Sequence, residues 1–381
     1  MMTSESRILY KKVYEVLRAG IANGTYPRGS CLPTEPELMA QFQVSRVTLR
    51  QALGMLKDEG LLVSIPAKGT FVAQIQELQK EPSGRVLAVL TPDVDSGFFS
   101  KIIRGIEREA YARGFQVVVH ATGDLVEEEE RLLRELAGHV AGFVVAAAAI
   151  GARSPAGFEP ALSQTIPLVF VDRCLEEPRV DCVTSDNAHG GYLATRYLLD
   201  HGHARIGMII PRECATYAGR IAGYRKALEE AGLPYESALV VRPDEAPQSG
   251  ANGQYFQQGD LLARQLLALA TPPTAIFVPN NMAAVGALKR LQAEHIAVPD
   301  RMALVGYDGV DAVGYVAPAI TTVDQQPLQM GTLAARLLLA RIAGQAALPQ
   351  HFALPVELCV RESSEPWRSE SRWARDIALS P

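Results

Sequence analysis

The chain has 381 residues, of which 48% are hydrophobic and 21% charged, and a formal net charge of −5. That length suits two or three domains, and the apolar content excludes general disorder. No run of about 18 apolar residues is present and the N-terminus has no apolar leader segment, so neither a membrane span nor secretion is expected.

Residues 8–23 predict a helix, with Leu9, Val13, Val16, Leu17 and Ile21 recurring at spacings of three and four. Gly24 to Gly29 break it. Thr34 with Glu37 three residues on predicts a capping box for a short second helix ending near Phe42, with Pro36 in its first turn. Ser45 is placed to cap a third helix, Arg46 to Glu59, stopped by Gly60. Leu49, Ala52 and Leu56 share one face of it, with Leu53 at the margin, and Arg46 and Arg50 lie together on another face. Residues 61–65 and 70–73 predict two strands joined at Pro66-Ala67-Lys68-Gly69.

Three helices followed by a hairpin make a winged helix-turn-helix. Its third helix fits the major groove, where an arginine fork pairs with guanine O6 and N7. Charge distribution agrees. Residues 1–74 hold nine Lys or Arg and six Asp or Glu, a net of +3, which leaves −8 on the rest. A basic head on an acidic body suits a head that meets a polyanion. The stretch LPTEPELMAQFQVSRVTLRQALGMLKDEGLL, with KGTFV after it, resembles the DNA-binding domain of the GntR family. The resemblance implies that Ser45, Arg46, Thr48 and Arg50 dock on double-stranded operator DNA, with a wing at Lys68, Gly69 and Thr70. Family members often carry arginine where Pro36 stands and glycine where Ala67 stands.

Residues 74–84 are polar and read as a linker. Strands and helices then alternate: strand 85–91, helix 99–113, strand 116–120, helix 127–137, strands 142–148 and 167–171, helix 187–201, strand 206–210. Helix 218–231, strand 238–241, helix 258–270, strand 274–279, helix 282–294 and strand 302–305 follow. Apolar strands between amphipathic helices mean a doubly wound parallel sheet, and the length allows two. Ligands of such folds sit at the carboxyl ends of the strands, in the cleft between lobes.

No glycine-rich phosphate loop and no nucleophile elbow is present. The run Glu127–Glu130 reads as a solvated helix start, and His201 and His203 as structural or solvated rather than metal ligands. The cysteines, Cys31, Cys174, Cys182, Cys214 and Cys359, show no C-x-x-C. They suggest neither a disulfide scaffold nor a zinc site, and a reducing compartment, most simply the cytoplasm. No cofactor and no metal are expected. What remains is a polar set at strand ends: Asp172-Arg173, Asn280-Asn281 and Tyr307-Asp308, with Arg220 opening a helix. These groups suit vicinal hydroxyls, and Tyr255 or Phe256 offers a flat ring for a sugar face.

Residues 85–360 resemble the effector-binding core of the LacI/GalR family, itself similar to periplasmic sugar-binding proteins. FVDR, VTSDNAHGGYLATRYLLDHGHARIGMI, RIAGYRKALEEAGL, VPDRMALVGYDG and PAITTVDQQPLQMGTLAARLLL carry the resemblance. It implies two lobes joined by crossover strands, one near residues 316–323. It also implies ligand contacts at Arg173, Arg220, Asn280 and Asp308, with Gln325 near the cleft and the loop from Asp93 to Phe98 as a further wall. The family usually reads Asn-Asp or Asp-Asp at Asn280-Asn281. The pairing of this head with this body resembles the architecture of arabinose repressors.

The expected fold is therefore α/β. A winged helix-turn-helix domain (1–73) and a linker (74–84) precede a two-lobed, periplasmic-binding-protein-like domain (85–365) and a mobile tail (366–381). The expected function is a cytoplasmic, homodimeric transcription repressor answering to a small carbohydrate of pentose type. An enzyme on the same fold would need a nucleophile, metal set or phosphate loop. A sugar-transport component would have no use for the head.

Overall fold

The computed structural model describes residues 4–27, 29–58, 61–65, 69–72, 85–153, 157–159, 166–176, 179–212, 214–243, 252–345 and 348–365. Contacts divide the chain into two compact units, Met1–Pro82 and Ser83–Pro381.

In the first unit, α1 (Ser4–Ala22), α2 (Glu35–Phe42) and α3 (Arg46–Asp58) precede an antiparallel hairpin, β1 (Leu62–Ile65) and β2 (Gly69–Val72). Val13, Leu17 and Ile21 of α1 meet Leu38 of α2 and Leu49, Ala52, Leu53 and Leu56 of α3 in one core closed by Leu62 and Val72. Val16 is 47% exposed, so the apolar stripe expected on α1 is one residue narrower. The expected capping box is present, and one oxygen of Glu37 accepts from both the Thr34 N–H (2.7 Å) and the Thr34 hydroxyl (2.8 Å). Both bonds favour the ionised carboxylate and hold Glu37 below its usual range.

The second unit holds two six-stranded sheets. The first runs β13-β7-β6-β5-β3-β4, all parallel: β3 (Val86–Thr91), β4 (Gln116–Ala121), β5 (Gly142–Val145), β6 (Leu168–Val171), β7 (Asp181–Ser185) and β13 (His351–Leu354). The second runs β14-β12-β11-β10-β8-β9: β8 (Ile206–Ile209), β9 (Val240–Val241), β10 (Ala275–Phe277), β11 (Ala303–Tyr307), β12 (Thr321–Asp324) and β14 (Glu357–Cys359), the last antiparallel at the edge. Helices α4 (Gly97–Tyr111), α5 (Val126–Leu136), α6 (Asn187–Asp200), α7 (Ala215–Glu230), α8 (Asn252–Leu267), α9 (Asn281–Ala293) and α10 (Pro327–Ile342) complete it.

The chain crosses between sheets three times, after Ser185, after Asp324 and after Leu354. The crossing expected near 316–323 falls later, because β12 is itself a strand of the second sheet. The crossings are tied together: the Ser185 hydroxyl donates to Gln325 Oε1 (2.5 Å), Asp186 N–H to Leu354 O (2.9 Å) and Gln326 Nε2 to Pro355 O (3.1 Å).

Five elements were not among those expected from periodicity: β7, β12, α10, β13 and β14. The strands among them are short, and β13 alternates exposed and half-buried residues. Two further expectations need correcting. Glu129, in the run read as solvated, is fully buried, accepts from Ala148 N–H (2.7 Å) and pairs with Arg153. Cys174 and Cys182 form a disulfide, with Cα atoms 5.8 Å apart. They lie just past β6 and on the adjacent β7, so strand pairing achieves the proximity that their spacing of eight conceals.

Helices α6 and α7 touch through glycine. A methyl group built at Gly223 would lie 2.0 Å from Ala188 O, and one at Gly191 2.1 Å from Arg220 O. This contact fixes the base of α7 and hence the Arg220 side chain. Gly223→Ala should force the helices apart and lower the unfolding free energy by about 1–3 kcal/mol, measured by urea denaturation of the full chain.

Candidate functional site

On the head, Ser45 accepts the Thr48 N–H (3.3 Å), capping α3. Arg46 donates Nε to Glu35 Oε2 (3.0 Å), Arg50 donates Nε to Glu35 Oε1 (3.0 Å) and Oε2 (3.3 Å), and their side chains remain 64% and 60% exposed. The hydrogen bond from Arg50, more than that from Arg46, holds the Glu35 carboxyl below its usual range. One carboxylate thus orients two guanidinium groups on the outer face of α3. Thr48 departs from the expected set: it is buried, and its hydroxyl meets that of Ser45 at 2.9 Å. Beside the arginines the exposed residue is Val47, at 70%, an apolar surface of the kind that meets a thymine methyl. Gly69 has φ +118°, and Thr70 O accepts from Leu32 N–H, which fastens the hairpin. Lys68 lies outside the described residues.

In the second unit the polar side chains gather where strands of both sheets end. From the first sheet come Asp93 after β3, Asp124 after β4, Asp172 and Arg173 after β6, and Ser185 closing β7. From the second come Arg212 after β8, Asn280 after β10, Asp308 after β11 and Gln325 after β12.

Asp124 joins the two sets. Its Oδ1 accepts from Arg173 Nη1 (2.6 Å) and Ala149 N–H (3.0 Å), and its Oδ2 from Arg212 Nη1. Arg212 also donates to the Tyr255 hydroxyl (3.1 Å). All of these except Tyr255 and Ala149 are at most 9% exposed. Arg173 Nε and Arg212 Nε have no hydrogen-bond partner among the described residues. A buried donor without a partner is costly, and a ligand acceptor would relieve that cost.

Asp308 is the second hub. Its Oδ2 accepts from Asn280 Nδ2 (2.9 Å) and Asn281 N–H (3.2 Å), and its Oδ1 from Gln325 Nε2 (2.9 Å), with Arg220 Nη1 at 3.5 Å. Arg220 is held by Asn187 Oδ1 (2.8 Å) and Pro279 O (2.6 Å), its guanidinium 3.7 Å from the centre of the Tyr307 ring. Burial pushes the Asp308 carboxyl up to about 6, against the pull of Arg220 and the Asn281 N–H. Burial also raises Asp172, which Arg173 and Arg220 partly offset, and Asp93, whose Oδ1 accepts the Ser96 N–H (2.6 Å).

The structure therefore brings Arg173, Arg220, Asn280, Asp308 and Gln325 together at the strand ends. Phe98 is a buried core residue at the start of α4, edge-on to Phe99. Phe256 is not with the cluster: its ring faces Lys289 of α9, 5.1 Å away, and its neighbour Tyr255 reaches Arg212 instead. Asp124, Arg212 and Ser185 were missed, although the strand-end rule that selected Arg173 also covers them. Tyr217, buried at the start of α7 with the Arg220 guanidinium 5.3 Å from its ring centre, was missed because aromatic core residues carry no such mark. His201 and His203 bond Tyr197 O and Thr274 Oγ1.

Residues 9–72 match the bacterial regulatory proteins of the gntR family, and residues 195–364 the periplasmic binding protein-like domain. The HTH-type transcriptional repressor PurR of Vibrio parahaemolyticus is 30% identical over 74% of this chain and 81% of its own. The chain belongs to the LacI type of transcription regulators. It is a transcriptional repressor of that type, with a GntR-type DNA-binding head and a ligand-binding body. Among solved structures, the regulator CelR in complex with cellobiose is 30% identical, with TM-score 0.65, over 84% of this chain and 92% of its own. A LacI family regulator from Enterococcus faecium with bound ribose is 28% identical, with TM-score 0.63, over 74% of this chain and 100% of its own. No helix among the described residues is long and apolar enough to cross a membrane.

Two outcomes follow from this geometry. Arg46→Ala and Arg50→Ala should each weaken operator binding by about 1–3 kcal/mol if the arginine reads a base, measured by operator titration at fixed salt. The second concerns pH. Because folding raises the Asp308 pKa from 3.8 to about 6, the folded protein binds this proton more tightly than the unfolded chain does. The unfolding free energy then falls as pH rises through that interval, by at most about 3 kcal/mol from this group, and is flat above it. Asp308→Asn should narrow the stability difference between about pH 5 and about pH 7 in urea titrations.

Proposed function

We propose that this repressor binds operator DNA as a homodimer and releases or tightens it in response to a small carbohydrate held at the strand-end cluster. The observation that carries this reading is the pair of buried arginines, Arg173 and Arg212, beside a shared carboxylate: among the described residues neither Nε has a hydrogen bond, and Arg173 Nε has only the Asp172 carboxylate at 3.6 Å. Ring and hydroxyl oxygens of a sugar are acceptors for those donors, and Asp308 with Asn280 and Gln325 can meet hydroxyl pairs. The ligands of two similar regulators, cellobiose and ribose, are of this class. A pentose of arabinose type is the effector we favour, on the resemblance to arabinose repressors.

In this reading Arg46, Arg50 and Val47 face the major groove from α3, Ser45 sets the helix end, and Lys68, Gly69 and Thr70 form the wing. Residues 74–84 connect head and body, and the protein works in the cytoplasm, where its operator is. Dimerisation doubles the contact set and matches a two-fold operator. Ligand contacts made from both sheets favour one arrangement of the lobes, and couplings of that kind are typically about 1–3 kcal/mol.

The test is a thermal-shift and operator-titration panel of L-arabinose, D-xylose, D-ribose and cellobiose. One sugar should stabilise the protein by about 2.7 kcal/mol at 100 times its dissociation constant and change operator affinity. Asp308→Ala should keep operator affinity without sugar and lose the response. A mutant that responds as the unmutated protein does would remove Asp308 from the site.

A further inference from the structure

We propose that Cys174 and Cys182 are a peroxide-responsive thiol–disulfide pair whose state is transmitted to Arg173 and so to the Asp124 junction between the lobes. The two sulfurs are joined in this structure, while Cys31, Cys214 and Cys359 are free. A repressor works beside the genome, where thioredoxin and glutathione keep thiols reduced, and disulfides formed there are typically transient and redox-sensing.

The surroundings fit a reactive pair rather than a buried staple. Cys174 is half-buried and open to a small oxidant, whereas Cys182 is 3% exposed on β7. His351 of β13 stands in register with Cys182, is itself exposed, and has a ring nitrogen within 4.8 Å of both sulfurs. Its Nε2 lies 2.8 Å from the Thr184 hydroxyl, which orients the ring. An imidazole so placed can accept the proton as a thiol ionises.

The chemistry closes with hydrogen peroxide as oxidant. The Cys174 thiolate attacks one peroxide oxygen and the O–O bond breaks. This gives a sulfenic acid and hydroxide, which takes up the thiol proton as water. The Cys182 thiolate then attacks the sulfenic sulfur and forms the S–S bond. The departing oxygen leaves with the second thiol proton as a second water, so two thiols are oxidised by two electrons and one peroxide is reduced. A dithiol reverses the bond by exchange.

Transmission needs no long path. Cys174 follows Arg173 directly, and the bridge pins that turn to β7, whose Val183 O accepts the Asp172 N–H (2.8 Å). Arg173 Nη1 holds Asp124 Oδ1 and Ala147 O, and Asp124 in turn holds Arg212 of the other lobe. Reduction releases one end of the turn and loosens the Arg173 side of that junction. This coupling rests on Arg173 lining the proposed cleft; the thiol chemistry does not.

The full-length protein is reduced with dithiothreitol, desalted, exposed to equimolar hydrogen peroxide, alkylated and mapped by mass. Cys174 and Cys182 should become protected together and lose two hydrogens, be restored by dithiothreitol, and leave Cys31, Cys214 and Cys359 alkylated. Amide exchange at residues 172–174 should be about tenfold faster in the reduced form. Cys174→Ser and Cys182→Ser, each shown folded by circular dichroism, should keep the fast rate with or without peroxide. Failure of peroxide to protect the pair overturns the proposal. So does protection without a change in exchange at 172–174, or one equivalent of zinc that copurifies with the protein and shields both thiols from peroxide. None of these readouts uses a sugar, so failure of the carbohydrate reading leaves them intact.

Discussion

Asp124 is the point on which the effector-binding unit turns. One carboxylate, buried beyond the reach of bulk water, is shared by arginines from two sheets. Charges removed from water repay their desolvation only when paired and hydrogen-bonded, and removing one partner from such a pair typically costs about 3–5 kcal/mol. Here the balance stays open among the described residues, because neither guanidinium Nε has a hydrogen bond and Arg173 Nε has only the Asp172 carboxylate at 3.6 Å. An arrangement that holds the lobes together yet leaves donors unmet invites a ligand rich in acceptor oxygens. Asp308 repeats the principle within the second lobe. Its left-handed backbone, φ +105°, turns the carboxylate toward Asn280, Gln325 and Arg220, and burial makes its charge dependent on those neighbours.

The head follows another rule. Its arginines are exposed, and exposed ion pairs contribute little to stability. The value of the Glu35 bridge lies in orientation: two flexible side chains are held near one geometry before any DNA arrives. A carboxylate in such a place also repels phosphate, so the pair must exchange partners or keep Glu35 off the backbone of the duplex.

Much of this was legible in the residues. The three helices and the hairpin of the head follow from apolar spacing, Thr34, Ser45 and the Pro-Gly turn, since capping and turn chemistry act locally. The long apolar runs at 86–91 and 142–145 announce buried parallel strands. Arg173, Arg220, Asn280, Asp308 and Gln325 were reached through strand ends and family pattern together. What escaped depends on tertiary neighbours. Glu129 looks like any acid in a first helical turn until Arg153 and the Ala148 N–H cover it. Thr48 and Val47 exchange inside for outside over one residue, which periodicity resolves poorly. Phe256 and Tyr255 differ by the same single step. Cys174 and Cys182 meet because two strands pair, and spacing along the chain carries no sign of it.

The late return of the chain to the first sheet has a consequence for synthesis. Strand β13 enters that sheet from residues 351–354, almost at the end of the described chain. The head, complete by Val72, therefore emerges from the ribosome well before the first lobe can close its edge. At about 5–20 residues per second the interval is roughly 15–60 seconds. During it the nascent protein presents the DNA-binding head on a body whose first sheet is not yet complete. Synthesis of the chain thus passes through a stage in which the head is whole and the first sheet still lacks its edge strand.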